Sequence, residues 1–265
     1  MIISIFIVSL FELMLGIRLG LSQGPTAILK GMEGVTDQMQ TYLSQDIGYQ
    51  LSALAVAIWG ILSYLWYRSE TRGELHGKPE TIISGKNLTL FLLLGIGSQC
   101  FFSGAIGLLQ RGIPQFFEAY SETVKSLLHG NMTEVVLYTV LIAPIAEELA
   151  FRGVILHKAS KVLPFFGANI LQAVFFGIYH QNIVQGIYAA LLGFLFGLAC
   201  RKFNTVYAPI LLHVLVNASA FFVMLIPYSI QGNALMAAGG AILMMFTSIQ
   251  LDLWKDILPK RKTFS

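Results

Sequence analysis

The stretch Pro144-Ile145-Ala146-Glu147-Glu148-Leu149-Ala150-Phe151-Arg152 sets two glutamates and an arginine inside a segment, 133–157, that otherwise reads as membrane-spanning helix. Each such charge at a helix centre costs about 2.5 to 3.5 kcal/mol on insertion scales. A segment that only held its place in lipid would not carry three, so Glu147, Glu148 and Arg152 are read as parts of a functional site. Successive residues of a helix point about 100° apart, so the two carboxylates cannot share a face, whereas Glu148 and Arg152, at i and i+4, can. Different roles are expected. Glu148 pairs with Arg152 and makes the buried charge tolerable, and Glu147 is left free to act on water. Pro144 withholds one backbone donor just upstream and is expected to bend the helix around the site.

The rest of the chain agrees with a membrane setting. Its 265 residues are 55% hydrophobic and 12% charged, with mean hydropathy +0.70, whereas a soluble domain carries about 25% charged residues. The fold class is therefore all-α, a polytopic integral membrane protein. Eight stretches approach the length that a bilayer requires, roughly 2–21, 49–67, 88–109, 133–157, 165–180, 184–200, 205–226 and 234–251. The first lacks the basic start of a secretory signal and carries Glu12 and Arg18, so it is kept as a span whose charges face the bundle interior in a structural role. The organisation expected is one membrane domain: 1–130 holding N-terminal spans with long polar connections at 22–48 and 68–87, 131–251 a catalytic helix bundle, and 252–265 a cytoplasmic tail.

Lysine and arginine set the orientation. Arg68, Arg72, Lys78 and Lys86, then Lys158 and Lys161, then Arg201 and Lys202, then Lys255, Lys260, Arg261 and Lys262 fall on one side, twelve of the seventeen. Lys30, Arg111 and Lys125 fall on the other. A multi-pass protein of the cell membrane with both termini cytoplasmic is expected. The net charge of +3 is then a topology signal spread over short loops, and no nucleic-acid partner is implied. Cys100 and Cys200 sit in apolar spans without metal-ligand spacing and read as reduced packing residues. The pattern Gly193-Phe194-Leu195-Phe196-Gly197 reads as tight packing inside the bundle, with a homodimer face as the alternative.

Two further spans carry one ionisable group each, in Phe176-xxx-His180 and His213-xxx-Asn217. The i,i+4 spacing places His213 and Asn217 on one face, where imidazole and carboxamide can donate to a single oxygen. Pro209 is expected to loosen the backbone before His213. His129 and His157, near segment ends, read as hydrogen-bonding residues of the bundle. Depth gives a consistency check. Glu147 lies about 15 Å and His213 about 12 Å from the cytoplasmic side; His180 joins them if its helix begins near Gly167 or Ala168, giving about 18 to 20 Å, and otherwise the site tilts toward the outer face.

In this order and on separate spans, Glu147-Glu148-xxx-Arg152, Phe176-xxx-His180 and His213-xxx-Asn217 resemble the CAAX prenyl-protease and bacteriocin-processing family of intramembrane proteases, also called Abi or CPBP. The resemblance covers roughly 140–220. It implies an eight-helix bundle that cleaves peptide bonds, with Glu147 and His180 holding and activating water and His213 and Asn217 stabilising the oxyanion. Glu148, Arg152 and Phe176 would support the site. The family has been described as metalloproteases, and Glu147, His180 and His213 would be the ligands of a zinc ion; with no HExxH element and with Asn217 an unusual ligand, a mechanism that requires no cofactor is preferred. The substrate implied is a membrane-associated peptide or protein in the lipid bilayer, in bacteriocin self-immunity, peptide-signal maturation or CAAX-type processing. The competing reading is a non-catalytic membrane regulator or scaffold that binds a sensor or transporter through its helices.

Overall fold

The computed structural model describes residues 47–71, 82, 84–128, 131–226 and 229–255. The first predicted span with Glu12 and Arg18, nearly all of the 22–48 connection, most of the 68–87 loop, His129 and the tail from residue 256 lie outside the described residues.

The described segments are helical, with no strand among them. They are α1 (Ile47–Thr71), α2 (Gly85–Gly112) and α3 (Pro114–Leu128), followed by a long composite helix. That helix runs through α4 (Met132–Val136), a π-helical stretch (Leu137–Ile142), α5 (Ala143–Glu148), a second π-helical stretch (Leu149–Leu156) and α6 (His157–Ala159). Then come α7 (Phe165–Tyr179), α8 (Ile183–Phe203), α9 (Tyr207–Val223) and α10 (Ile230–Gln250). Starts are fixed by side-chain caps: Ser84 accepts from the Asn87 amide, Asn131 from Thr133, Asn182 from Gln185 and Ser229 from Gly232. Asn204, in the left-handed region at φ 51°, ends α8.

Three helices, α2, α8 and α10, are long and apolar enough to cross a membrane, and α7 and α9 are shorter apolar helices. Helix stands at each predicted span that falls within the described residues, but fewer full-length crossings are supported than the eight read from hydropathy. The physical reasons differ. At about 22 Å, α7 falls short of the roughly 30 Å hydrocarbon core. Aromatic and polar residues such as Trp59, Ser63, Tyr64 and Tyr67 dilute α1, and the composite helix carries the charged triplet.

Among the described residues the core is largely hydrophobic but encloses a set of buried polar side chains, and many large apolar side chains face outward, as in a bundle exposed to lipid. Helix α7 exposes Ile170, Val174 and Ile178 along one edge while burying Asn169, Gln172 and Phe176 on the other. Close backbone approaches lock the bundle. A Cβ on Gly97 would stand 2.9 Å from the Met244 nitrogen of α10, and one on Gly177 would stand 2.5 Å from the Gly186 carbonyl of α8. The second approach folds α7 and α8 into a hairpin with a three-residue turn, where Gln181 takes φ 54°. Behind the carboxylates, α1 covers the composite helix, Gly60 against Ala146 and Tyr67 against Gly153. Cys100 and Cys200 are free thiols, Cys200 fully within the core.

Candidate active site

Pro144 sits in the first turn of α5, and π-helical turns lie on both sides of that short α-helical piece. Wide turns of this kind are frequent at functional sites. Here they bracket Glu147 and Glu148, both buried.

The two glutamates are held differently. Oε1 of Glu148 accepts from Arg152 Nη1 at 2.7 Å and from His213 Nδ1 at 2.8 Å. The pair with Arg152 is the contact that the i,i+4 spacing led us to expect, and both side chains are fully excluded from solvent. The guanidinium also donates through Nη2 to the Gly193 carbonyl at 3.0 Å and stands 4.4 Å over the Phe176 ring and 5.1 Å over that of Phe196. Glu147 has no such anchor: its Oε2 lies 3.9 Å from His213 Nε2, beyond direct hydrogen bonding and suited to a bridging water.

Because the Glu148 carboxylate can only accept, His213 must donate from Nδ1, which leaves Nε2 facing Glu147. His180 follows the same logic through the backbone. It lies one residue past the end of α7, and its ring folds back so that Nδ1 donates to the Phe176 carbonyl at 2.8 Å. The helix begins at Phe165, not at Gly167 or Ala168 as the depth count required. Phe176 is the hub, its ring centroid 4.8 Å from that of His180 and 5.9 Å from that of His213, each edge to face. Phe196 stacks on the other side of His213 at 4.8 Å.

Asn217 is half-buried and donates from Nδ2 to the Thr139 carbonyl in the first π-helical stretch at 2.8 Å. Its second amide hydrogen remains for a ligand. Pro209 requires a correction. It is the third residue of α9, where a missing N–H leaves no intrahelical bond unmade, so it starts the helix and does not loosen it before His213. The glycines of the 193–197 pattern face inward as well, Gly193 toward Arg152 and Phe176 and Gly197 toward Asn169 and Gln172, so neither is open to a second copy.

Asn169 and Gln172 escaped the sequence reading. Both are completely buried, and the signal that could have found them is two carboxamides in an apolar span at i and i+3, on the face that continues to Phe176. Among the described residues no group of three His, Cys, Asp or Glu side chains is placed to hold a metal ion; the Nδ1 hydrogen bonds of both histidines leave Nε2 as the atom that a water or a metal would meet.

The comparisons define a class that agrees with this arrangement. Residues 130–219, a stretch containing all three motifs, match the family described as type II CAAX prenyl endopeptidase Rce1-like. The recognition made from the motifs therefore holds over this stretch. Among individual proteins, the chain is 24% identical over 183 residues to "Putative membrane peptidase YdiL" of Bacillus subtilis (strain 168), covering 65% of this chain and 74% of that protein. No solved structure matches.

Proposed function

We propose that this protein is an intramembrane endopeptidase that hydrolyses a peptide bond in a membrane-associated peptide or protein with a water molecule activated by Glu147. One observation carries the reading: of two adjacent buried carboxylates, Glu148 is consumed by Arg152 and His213, while Glu147 stands 3.9 Å from the His213 Nε2 atom, beyond a direct hydrogen bond, and keeps its acceptor lone pairs for a water beside them. A general base needs a proton-accepting group within reach of the water, and this division supplies it.

In the reaction, Glu147 takes a proton from water as the oxygen adds to the substrate carbonyl carbon. The Nε2 lone pair of His180 helps hold that water. The carbonyl oxygen becomes an oxyanion that accepts from the second amide N–H of Asn217. With Nδ1–H given to Glu148, His213 keeps a lone pair at Nε2, which holds the water beside Glu147 and cannot donate to the oxyanion, so that role falls to Asn217. Collapse of the tetrahedral intermediate breaks the C–N bond, and the proton held by Glu147 passes to the departing amine. No step requires a metal.

On this reading the described helices together with the 2–21 stretch form an eight-span bundle with both termini cytoplasmic. The substrates are peptides at the membrane, in CAAX-type processing, peptide-signal maturation or bacteriocin self-immunity. The test compares membrane and secreted peptides by mass spectrometry from cells lacking the protein and complemented with wild type or Glu147→Ala at equal expression. A peptide processed only with wild type supports proteolysis. Identical profiles, with Glu147→Ala still restoring the deletion phenotype, move the assignment to a non-catalytic regulator.

A further inference from the structure

We propose that Gln172, aimed by Asn169, is a positioning residue for His213, acting through Gly193, Arg152 and Glu148; the inference rests on the reading of His213 as part of a hydrolytic site. The chain of contacts is continuous. Asn169 donates from Nδ2 to the Phe194 carbonyl at 3.0 Å and accepts from Gln172 Nε2 at 2.7 Å. The other hydrogen of that amide goes to the Gly193 carbonyl at 2.9 Å. Arg152 Nη2 donates to the same carbonyl at 3.0 Å, Arg152 Nη1 to Glu148 Oε1 at 2.7 Å, and His213 Nδ1 to that oxygen at 2.8 Å.

The geometry of the ion pair explains why the relay is needed. Arginine and carboxylate orient each other best through two parallel bonds. Here one oxygen, Glu148 Oε1, takes both Arg152 and His213, while Glu148 Oε2 and Arg152 Nε find no hydrogen-bond partner. A single bond to Glu148 leaves the guanidinium's orientation to its other contacts, the Phe176 and Phe196 rings and the Gly193 carbonyl, which is its second hydrogen-bond acceptor. Gln172 binds that carbonyl from the other side, and Asn169 leaves the Gln172 amide one direction to point.

Packing alone does not account for the two carboxamides. Both are wholly buried in a lipid-facing bundle, where leucine or methionine would fill the space without a polar group to satisfy. Helix α8 has given up side chains for them. A Cβ on Gly193 would stand 3.0 Å from both Arg152 Nη2 and Phe176 Cδ1, and one on Gly197 would overlap Asn169 Oδ1. Gly197 thus makes room for the polar pair, while Gly193 admits Arg152, Phe176 and the α7 backbone, Ala173 Cα standing 3.4 Å from its would-be Cβ.

The test labels the full-length protein in nanodiscs with ring-15N histidine and assigns the His213 signals by substitution. In wild type, His213 should read as protonated at Nδ1. Gln172→Met keeps length and volume and removes both donated bonds; Asn169→Ala is the milder variant, leaving Gln172 without its aiming acceptor. Each should move the His213 signals toward a mixture of tautomers while leaving those of His180, whose Nδ1 is held by backbone, in place. On the peptide found by the mass-spectrometric comparison, kcat should fall about 10-fold or more with KM within about 2-fold, the mark of a defect in the reacting state and not in substrate binding. Variants that fold and keep wild-type His213 signals and kcat overturn the proposal, as does failure of both to fold, which would make the pair structural. A wild-type protein that cleaves nothing, while its His213 signals still respond to Gln172→Met, would sink the protease reading and leave the relay standing.

Discussion

Replacing Arg152 by methionine should be among the most damaging substitutions, and its cost follows from what the guanidinium touches. Arg152 is 1% exposed and, among the described residues, is the one arginine or lysine bonded to Glu148, which is itself fully buried. Removing one member of a buried ion pair strands the other charge, at a cost of about 3 to 5 kcal/mol. For a chain of this size that lowers Tm by about 6 to 20 °C. The double variant Arg152→Met with Glu148→Leu separates stranded charge from lost packing. Replacing both partners by apolar groups is often neutral, and the loss that remains is the unsatisfied His213 N–H, about 1 to 3 kcal/mol. The double variant should therefore be more stable than Arg152→Met alone while lacking activity, because nothing then sets the tautomer of His213. Thermal unfolding in detergent, followed by near-UV circular dichroism, measures both. An Arg152→Met protein within about 1 kcal/mol of wild type, or a double variant no more stable than the single one, would refute the claim that an uncompensated charge dominates the cost.

Asn217→Ala should lower kcat by about 10²- to 10³-fold, the usual effect of losing one oxyanion donor, with little change in KM; a change confined to KM would place Asn217 in substrate binding instead. Gly197→Ala should destabilise the protein by about 1 to 3 kcal/mol through the collision with Asn169, whereas Gly239→Ala, where a Cβ would meet nothing within 4 Å, should leave Tm at the wild-type value. Prolonged treatment with a zinc chelator should leave cleavage unchanged, measured on the same peptide before and after dialysis; loss of activity restored by added zinc would bring Glu147, His180 and His213 together as ligands.

What the sequence disclosed and what it withheld divide along a physical line. Contacts along one helix were legible, because spacing fixes them: Glu148 with Arg152, and the face shared by His213 and Asn217. Contacts between helices were not, because they depend on which helix lies beside which and at what height. Gln172 meets the Gly193 carbonyl across the α7–α8 hairpin, and Asn217 meets Thr139 from a helix 78 residues away in sequence. The π-helical turns were hidden for the same reason, since no residue pattern forces them.

Adjacent glutamates might be thought interchangeable, yet the geometry makes them opposites. Any helix turns Glu147 and Glu148 apart by about 100°, so a partner that reaches one along the axis misses the other. Arg152 lies one turn on and takes Glu148. The imidazole of His213 then meets both carboxylates, bonded to Glu148 at Nδ1 and separated from Glu147 at Nε2. One residue therefore has its position over-determined by bonds from two side chains, and its neighbour is left with an open acceptor beside a histidine. On the proposed mechanism, fixing Glu148 orients the ring beside Glu147, so the buried ion pair would act on the chemistry through orientation. An aspartate at 148 would retain the charge but reach one methylene less far, and Arg152 and His213 could not both keep their bonds to a single oxygen.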